Sequence, residues 1–503
     1  MSAALRTPGD LDDESYELFR ELILGRMGVH FGPRRRSELS RGVLSASARA
    51  GDSGLFGYAG RLRGADTNSP LWDDLIAEIS IGESYFFRDE AQMLALRTVV
   101  LPDLIARHQA DRRLRIWSAG CSTGEEPYGL AMMLVDLLEE PELWDLHILG
   151  TDINRRAISQ ALTGLYRAWS FRSSDTRIRD RHFIPREGSF ELRPEIRRMV
   201  EFGYLNLSSG GYPSLITQTN ALDLILWRNV AIYLSPEVVR AVAVRLHECL
   251  LPDGYLIVGA VEADAATYKG FAAKSICGAT VFQKSPTRPT AGVVAPPAPR
   301  REAPAPPSRP APAPRSSGSE FSVQPGSLPV DPRRTYEQGL TLVLSGRLDA
   351  AMTAFGSCLA AQPTFAPAHH ALAKLHANRG ELLEARRRCE RALECAPGFA
   401  EAHYTLALIC VESGTQDEAV GFLRKALYLE PAFALAHYTM ANVLERSGRG
   451  PDAGRHRRHA LRIVGAMPPA EVVAGSEDLT GGQLKAMLET SCGVIQRAGR
   501  SRG

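Results

Sequence analysis

The second half of this chain repeats itself every 34 residues, and this period constrains the fold more than any other feature. Four registers share the period, namely Pro329, Pro363, Pro397 and Pro431; Gly346, Gly380, Gly414 and Gly448; Ala351, Ala385, Ala419 and Ala453; and Tyr336, His370, Tyr404 and Tyr438. A unit of this length holds two helices and a turn, and it buries its apolar face only against neighbouring units. The pattern therefore predicts a stack of helix pairs rather than one closed core.

The unit resembles the tetratricopeptide repeat, because small residues mark the helix crossing, glycine marks the turn and proline follows the second helix. Three full units are expected over about 330–431, with a fourth partial unit to about 465, in a repeat region spanning 331–465. The resemblance implies a concave groove that holds a protein or peptide. His403 and His437 share one repeat position and are predicted to pack rather than bind a metal. A polar tail covers 466–503, with a capping helix predicted near 479–497.

Proline marks the boundary that precedes the repeats. Residues 285–330 contain 13 of the 32 prolines, in runs such as APPAPRREAPAPPSRPAPAPR. A segment with so few apolar side chains and so many fixed φ angles favours an extended, disordered linker. A proline-rich ligand for an SH3-like partner is the alternative interpretation.

The first 284 residues divide into two patterns. Over 10–100 the apolar residues recur at three- and four-residue steps, as in LDDESYELFRELILGRMG, which predicts a helical domain. Over 101–284 short apolar runs (LRIWSAG, HILGTDI, LDLILW, GYLIVGA) alternate with helix-like stretches. Strands alternating with helices indicate an α/β fold with a parallel sheet covered on both faces.

Composition excludes several protein classes. A chain of 503 residues suggests about three domains at roughly 150 residues each. The chain is 44% hydrophobic with a net charge of +2, so its total charge names no partner. It shows no apolar run of membrane-spanning length and no secretion signal at its start. The eight scattered cysteines suit reduced thiols. A cytoplasmic protein without direct membrane insertion is expected.

The loop after the first apolar run is a candidate cofactor site. Ligands in open α/β sheets lie beyond the carboxyl ends of the strands. The loop AGCSTGEEPY, residues 119–128, offers two glycines and two small hydroxyls, but Glu125 and Glu126 would repel a pyrophosphate at the helix start. Asp152, at the end of the second run, is placed to receive ribose hydroxyls. A positively charged nucleoside without phosphate, such as S-adenosylmethionine, fits best, and simple helix-capping carboxylates are the alternative.

Five motifs along the first 284 residues indicate a family resemblance. They are IGESYFFRD (81–89), WSAGCSTGEEPYGLAM (117–132), GTDI (150–153), VEF (200–202) leading to Asn206 and Leu207, and RNVAIY (228–233). In this order they resemble the CheR-type chemotaxis receptor methyltransferases, over about 10–284. With the linker and repeats, the chain resembles repeat-fused members of that family. The resemblance implies methyl transfer from S-adenosylmethionine, leaving S-adenosylhomocysteine, to glutamate carboxylates of methyl-accepting chemoreceptors, with no metal. It also implies a Rossmann-like domain with a small antiparallel β-subdomain at about 166–204, which grips a receptor pentapeptide in some relatives.

The resemblance also implies site residues. Its cofactor contacts fall on Ser84, Arg88, Glu126, Asp152, Asn206, Leu207, Arg228 and Asn229, while Gly82 replaces an asparagine that the family often carries. An ionised glutamate needs no general base, so positioning dominates, and Arg88 and Tyr233 are predicted to orient the carboxylate. The alternatives are an ion pair of Arg88 with Asp89 or Glu90, and a core role for Tyr233. Cys121 is interpreted as a small loop residue.

Charge is uneven near the start of the chain. Residues 20–63 contain nine arginines against Glu21, Glu38 and Asp52, a local balance of +6. Arg34, Arg35, Arg36 and Arg41 are therefore predicted to dock the acidic cytoplasmic domain of a chemoreceptor, with the protein recruited to chemoreceptor arrays. A nucleic-acid surface or a plain solvated face are the alternatives.

Two other functions compete with receptor methylation. The first is a methyltransferase that acts on nucleic acid or a small molecule. The second is a scaffold with weak or no activity whose repeats bind signalling partners.

Overall fold

The computed structural model describes residues 10–52, 54–65, 69–80, 82–172, 176–285, 331–476, 479–485 and 487–489. It divides into two compact units, Met1–Ser285 with Thr364–Gly503, and Pro286–Pro363. From residue 286 onward the predicted linker lies outside the described residues. None of the described helices combines the length and the apolar character needed to cross a membrane.

The helices and strands are numbered in chain order. The helices are α1 (Asp13–Met27), α2 (Arg36–Arg49), α3 (Leu55–Gly64), α4 (Pro70–Ile79), α5 (Glu90–Ala95), α6 (Leu101–Arg107), α7 (Glu125–Leu137), α8 (Arg155–Thr163), α9 (Thr176–His182), α10 (Pro194–Arg197), α11 (Pro236–Cys249), α12 (Pro332–Leu344), α13 (Leu348–Ala361), α14 (Ala366–Asn378), α15 (Leu382–Cys395), α16 (Ala400–Glu412), α17 (Gln416–Leu429), α18 (Ala434–Arg446) and α19 (Gly450–Gly465). The strands are β1 (Arg113–Ala119), β2 (Asp145–Asp152), β3 (Leu165–Tyr166), β4 (Phe183–Arg186), β5 (Ser189–Leu192), β6 (Val200–Tyr204), β7 (Leu222–Trp227), β8 (Leu250–Val258), β9 (Phe271–Ile276) and β10 (Ala279–Lys284).

Helices α1 to α4 form a small bundle with an apolar cluster of its own. Phe19, Val43, Tyr58 and Trp72 are buried in this cluster. Helix α1 starts where the Asp12 side chain accepts a hydrogen bond from the Ser15 N–H, which satisfies one of the free donors of the first turn. The helical prediction for the start of the chain is confirmed.

Helices α5 and α6, joined by a π-helical turn at Leu96–Val100, pack on the sheet instead of on this bundle. Leu96 and Leu104 share one apolar cluster with Leu114 and Ile116 of β1. Along this stretch Ile79 still belongs to the apolar cluster of the bundle and Phe86 already belongs to that of the sheet, so the change of core falls before the domain boundary predicted at 100. Periodicity predicts an apolar face on a helix but does not say which neighbour that face contacts.

The main sheet has the strand order β6-β2-β1-β7-β8-β10-β9. The strands from β6 to β8 are parallel, and β10 and β9 add an antiparallel edge. All six residues of β7 are buried, as expected for a parallel strand covered on both faces. The α/β prediction is confirmed, with β1, β2, β7 and β8 at the four predicted apolar runs.

A second, antiparallel sheet has the order β3-β5-β4 and forms the small subdomain. It lies within the predicted stretch, but residues 200–204 pair with β2 and belong to the main sheet. Phe86, just before α5, packs against Tyr166, Phe171 and Phe183 of this subdomain. The subdomain therefore holds the segment that leads to Arg88.

The repeat region consists of helix pairs, as predicted. In the unit Pro286–Pro363, α12 pairs with α13, and the Tyr336 ring lies 5.6 Å from that of Phe355. In the other unit, α14/α15, α16/α17 and α18/α19 stack in sequence. The fourth repeat, predicted to be partial, has two full helices.

The repeat registers have the structural roles expected from their residue types. Gly346, Gly380, Gly414 and Gly448 have φ values of 71°, 77°, 75° and 74°, the left-handed conformation that ends a first helix. Ala351, Ala385, Ala419 and Ala453 are all 0% exposed, at the helix crossings. Among the described residues, no group of three or more His, Cys, Asp or Glu side chains is arranged to hold a metal, and the His437 ring instead contacts His456 and the Pro431 carbonyl.

The chain after α19 folds back on the repeats. Residues 481–485 and 487–489 are helical, and Leu484 and Leu488 are buried in the apolar cluster of the repeats. Both helical stretches fall within the capping helix predicted near 479–497, whose residues after 489 lie outside the described part of the chain.

The crossing of α2 and α4 generates a stability prediction. A Cβ at Gly42 would lie 2.5 Å from Ile79 Cγ2, so Gly42→Ala should destabilise the bundle by about 1–3 kcal/mol through overpacking. Gly25→Ala is the matched control, because a Cβ there would contact nothing within 4 Å beyond the adjoining backbone of its own helix, and it should stabilise α1 by up to about 1 kcal/mol. Hydrogen exchange of α1 amides in the full chain measures both effects. Equal protection in the two variants would contradict the prediction.

Candidate active site

A cleft of about 1460 Å³, including its mouth open to solvent, lies at the carboxyl ends of the parallel strands. Its lining includes the loops after β1, β2, β6 and β7 together with residues of the α1–α2 connection. Strand ends converge here because the strands run parallel, which is the usual location of ligand sites in open α/β sheets. The cleft brings together residues from Met27 to Leu234.

The loop between β1 and α7 allows close approach of backbone to a ligand. Gly120 has φ 87°, and a Cβ there would lie 2.4 Å from Val230 Cγ2. Gly124 precedes α7 with φ 91°. Both positions favour glycine, and Gly120 itself lines the cleft.

Asp152 lies at the end of β2 with its carboxylate fixed. One oxygen accepts from Ser122 N and the other from Asn154 N, each at 2.8 Å. Burial raises the pKa of Asp152 above its ordinary value, while these N–H donors act in the opposite direction. The neighbouring Ser122 Oγ is buried with no hydrogen-bond partner among the described residues. Because Ser122 also lines the cleft, this hydroxyl is a candidate contact for a ligand.

Arg228, at the end of β7, is buried in an ionic network. Its guanidinium donates to Glu126 at 2.8 Å, to the Gln92 side chain and to the Arg88 carbonyl. Glu126 also accepts from Ser118 Oγ at 2.7 Å. The network ties α5, α7 and β7 together, so Arg228 forms and positions the wall of the cleft.

The other residues predicted to contact the cofactor also line the cleft: Ser84, Arg88, Asn206, Leu207 and Asn229. The Asn206 side chain makes hydrogen bonds within the protein: it donates to the Arg26 carbonyl at 3.0 Å and accepts from Ser208. Asn206 therefore fastens the end of α1 to the loop after β6.

The segment from Asn229 to Tyr233 is held by Glu262, which sequence reasoning did not identify. The buried Glu262 carboxylate accepts from the backbone N–H groups of Asn229 (2.7 Å), Ile232 (3.1 Å) and Gly259 (2.8 Å). On the other side His30 N donates to the Tyr233 carbonyl at 2.7 Å. Glu262 follows the carboxyl end of β8, so the rule that indicated Asp152 would also have indicated Glu262.

Arg35, Arg88 and Tyr233 lie together in the lining of the cleft. The Arg35 guanidinium is 5.0 Å from the Tyr233 ring and also pairs with Glu38. Arg88 donates to the Glu83 carbonyl at 3.1 Å, and its alternative pairing with Asp89 or Glu90 is not found among the described ion pairs. Burial raises the pKa of the Tyr233 phenol, which therefore stays protonated as a donor.

The four arginines predicted to dock a partner differ in their surroundings. Arg34 and Arg41 are exposed near the start of α2. Arg36 is only 7% exposed, and its guanidinium donates to the Leu11 carbonyl and pairs with Asp13 at 2.6 Å. The prediction is wrong for Arg36, because its side chain fastens α2 to the start of the chain.

Four of the nine non-glycine residues with positive φ in the described part of the chain lie at or beside this cleft. Phe87, Asp89, Ser122 and Asn229 have φ values of 58°, 70°, 50° and 59°, which non-glycine residues rarely adopt. Such conformations persist only where the surrounding contacts hold them, and they cluster at functional sites.

Cys121 fits its interpretation as a loop residue. It is buried, and burial beside Asp152 and Glu126 raises the pKa of its thiol well above the ordinary value. The thiolate that a nucleophile requires is therefore disfavoured.

Comparison with known proteins identifies family matches in both halves of the chain. The family "CheR methyltransferase, SAM binding domain" matches residues 82–272, and tetratricopeptide repeat families match 342–409 and 400–433. The "Chemotaxis protein methyltransferase Cher2" of Pseudomonas putida is 31% identical over 261 residues, covering 51% of this chain and 91% of that protein. "Chemotaxis protein methyltransferase 1" of Pseudomonas aeruginosa is 33% identical, covering 49% and 89%.

A further relative covers more of this chain and less of its own length. The "Probable biofilm formation methyltransferase WspC" of Pseudomonas aeruginosa is 30% identical over 279 residues, covering 54% of this chain and 62% of that protein. Each of these three relatives matches about half of this chain.

The contacts of Glu262 generate a prediction for cofactor binding. Glu262→Ala removes the acceptor of three N–H groups, so the segment carrying Asn229 and Tyr233 should loosen and affinity for S-adenosylhomocysteine should fall about 10-fold or more. Calorimetric titration of the full chain measures this. Asp264→Asn, on the exposed surface two residues later, is the control and should bind normally. Normal binding by folded Glu262→Ala would show that Glu262 does not organise the cleft.

Proposed function

Because this chain belongs to the CheR family of chemotaxis methyltransferases, we propose that it methylates glutamate side chains of chemoreceptors with S-adenosylmethionine as methyl donor. The observation that carries this proposal is the two-sided cleft. One side carries the carboxylates of Glu125, Glu126 and Asp152. The other side carries hydrogen-bond donors that suit a substrate carboxylate, namely Arg35, Arg88 and Tyr233.

The residues present fit S-adenosylmethionine. The unpartnered Ser122 Oγ and the fixed Asp152 carboxylate suit hydroxyl and amino groups, and the acidic loop suits a positive charge better than a phosphate. A Cβ at Gly82 would lie 3.7 Å from Ser122 Oγ, so the asparagine that the family often carries would lie beside the same hydroxyl. When bound, the cofactor supplies an electrophilic methyl group.

The protein's own task is to orient a carboxylate that is already ionised at neutral pH. Arg88 offers a planar fork of N–H donors and Tyr233 a single directional O–H donor. Arg35 adds a cation beside the Tyr233 ring. Because Glu262 and His30 hold the Tyr233 segment from two sides, the phenol is preorganised and little reordering is needed when substrate arrives.

Receptor docking is assigned to two exposed arginines, Arg34 just before α2 and Arg41 within it. Arg34 and Arg41 lie near Arg35, and Arg35 reaches the cleft, so an acidic receptor helix held on this face would present its glutamates toward Tyr233. The β3-β5-β4 subdomain is a second candidate surface for a receptor tether. With either surface, the protein is proposed to be recruited to chemoreceptor arrays.

The substitution Tyr233→Phe tests the proposed reaction. With tritiated S-adenosylmethionine and purified chemoreceptor cytoplasmic domains, wild-type protein should form label that mild alkali releases as methanol. Tyr233→Phe should lower the rate roughly 10- to 100-fold without changing affinity for S-adenosylhomocysteine, because only a substrate donor is lost. Tyr428→Phe, whose side chain is exposed, is the matched control.

Two outcomes would contradict the proposal. Label that resists alkali, on nucleic acid or a small molecule, would assign a different acceptor. A folded chain that binds no S-adenosylhomocysteine would indicate a scaffold.

Charge reversal tests the docking surface. Arg34→Glu with Arg41→Glu should reduce receptor methylation several-fold at low salt, with less effect at high salt, because steering between exposed charges is screened. Cofactor affinity should stay unchanged. Arg387→Glu with Arg458→Glu, both exposed on the repeats, changes net charge equally and is the control. An equal loss in both pairs would refute docking on α2.

A further inference from the structure

We propose that the groove of the second and third repeats is a docking site for the chain's own loop at residues 214–219, so that a partner binds there only by displacing this loop. The groove is defined by Lys374, Asn378, Tyr404, Thr405 and Leu408, on the first helices α14 and α16. The docking loop lies between β6 and β7 of the methyltransferase domain.

The docking loop contributes apolar side chains to the repeats. Leu215 is only 7% exposed and belongs to the apolar cluster of the repeats, with Ile216 packed against that cluster. Ser214, Leu215 and Ile216 share one small cavity with the groove residues. The surface that the repeat resemblance assigned to a protein or peptide ligand is therefore occupied here by the same chain.

A buried ion pair also joins the repeats to the methyltransferase domain. The Glu412 carboxylate, at the end of α16, accepts from Arg113 at 2.6 Å and from Arg115 at 2.7 Å, both on β1. Glu412 and Arg115 are 8% and 6% exposed. Arg115 also donates to the carbonyls of Gln218 and Asn220, so one guanidinium joins the repeats, β1 and the end of the docking loop. Removing Glu412 would leave a buried charge without its partner, which is strongly unfavourable.

Further contacts extend this interface along the sheet. A Cβ at Gly380, in the turn between α14 and α15, would lie 3.0 Å from the Ala221 Cβ and 3.1 Å from Leu251 Cδ2. Arg446 of α18 pairs with Glu201 of β6. Arg113, Ala221 and Leu251 lie at or beside the amino ends of β1, β7 and β8. The repeats therefore dock at the edge of the sheet opposite the cleft and leave the cleft open.

The docking loop is shaped by its own hydrogen bonds. Thr219 N donates to the Ser214 carbonyl at 3.1 Å, Ser214 N to Thr219 Oγ1 at 3.2 Å, and Ile216 N to Ser214 Oγ at 3.1 Å. These bonds close the segment into a compact turn that presents Leu215 and Ile216. A preorganised turn loses little conformational entropy when it docks.

The occupied groove defines the chemistry of a competing partner. Such a partner would be a short peptide with adjacent aliphatic side chains for the sites of Leu215 and Ile216, and a cationic residue to replace Arg115 beside Glu412. The partner and the docking loop need the same surface. Docking of the loop therefore weakens partner binding, and partner binding weakens docking of the loop by the same free energy. This inference concerns binding by the repeats and does not depend on methyl transfer.

Hydrogen exchange of the full-length protein tests the proposal. Glu412→Gln and, separately, Leu215→Ser should each raise the exchange of amides 214–219 and of the 378–382 turn by about 10- to 100-fold. The amides around Leu423 and Ala426, inside the repeats, should keep their protection. Affinity for S-adenosylhomocysteine should stay within twofold, because the cleft lies at the opposite edge.

Glu394→Gln is the matched control, since this glutamate is exposed on α15 and its ion pair within the described ranges is with the neighbouring Arg391. Leu215→Ser alters the methyltransferase side of the interface alone, so it keeps the test valid if Glu412→Gln unfolds the repeats. Unchanged protection of 214–219 and 378–382 in folded Leu215→Ser would overturn the proposal, whatever the outcome of the methylation assays.

Discussion

The cleft depends on the burial of one guanidinium, that of Arg228. Its donors reach Glu126 on α7, Gln92 on α5 and the Arg88 carbonyl, so one side chain joins the sheet to two helices and to the strained segment before α5. A buried charge is tolerated only when it is fully paired, and this requirement fixes the positions of all its partners. The geometry around Arg88 and Tyr233 follows from that constraint and from the Glu262 carboxylate on the opposite side.

The two ends of the parallel strands carry different tasks. The cleft, with its glycine-containing loop, its fixed carboxylates and the Tyr233 segment, lies at their carboxyl ends. The repeats contact their amino ends, through Arg113, Arg115 and Leu215. Strand direction separates the two surfaces, so contacts that dock the repeats need not enter the cleft. The repeats are therefore attached to the sheet without covering the cleft.

Local patterns allowed much of the fold to be predicted. Buried positions recur along the chain with the period of the strand, helix or repeat that they belong to. This is why the sequence predicted β1, β2, β7 and β8 from their apolar runs and the repeats from their 34-residue registers. Asp152 was readable from its position after a core strand. Arg36 was predicted to lie on the docking surface, but its side chain is buried by contacts with Leu11 and Asp13. Its neighbours in α2 give no sign of these contacts. Gln92 has no local signal, since its role exists only through contacts with Arg228 and Val258.

The amino-acid sequence by itself determined the helix pairs, the alternation of strands and helices, and the motifs that place this chain among chemotaxis methyltransferases, because spacing along the chain controls which side chains share a face. Only the tertiary structure decided which arginines face solvent and what lies in the repeat groove. Arg115 and Glu412 are separated by 297 residues, and burial makes their pairing obligatory. Desolvation acts on neighbours in space, which spacing along the sequence does not reveal.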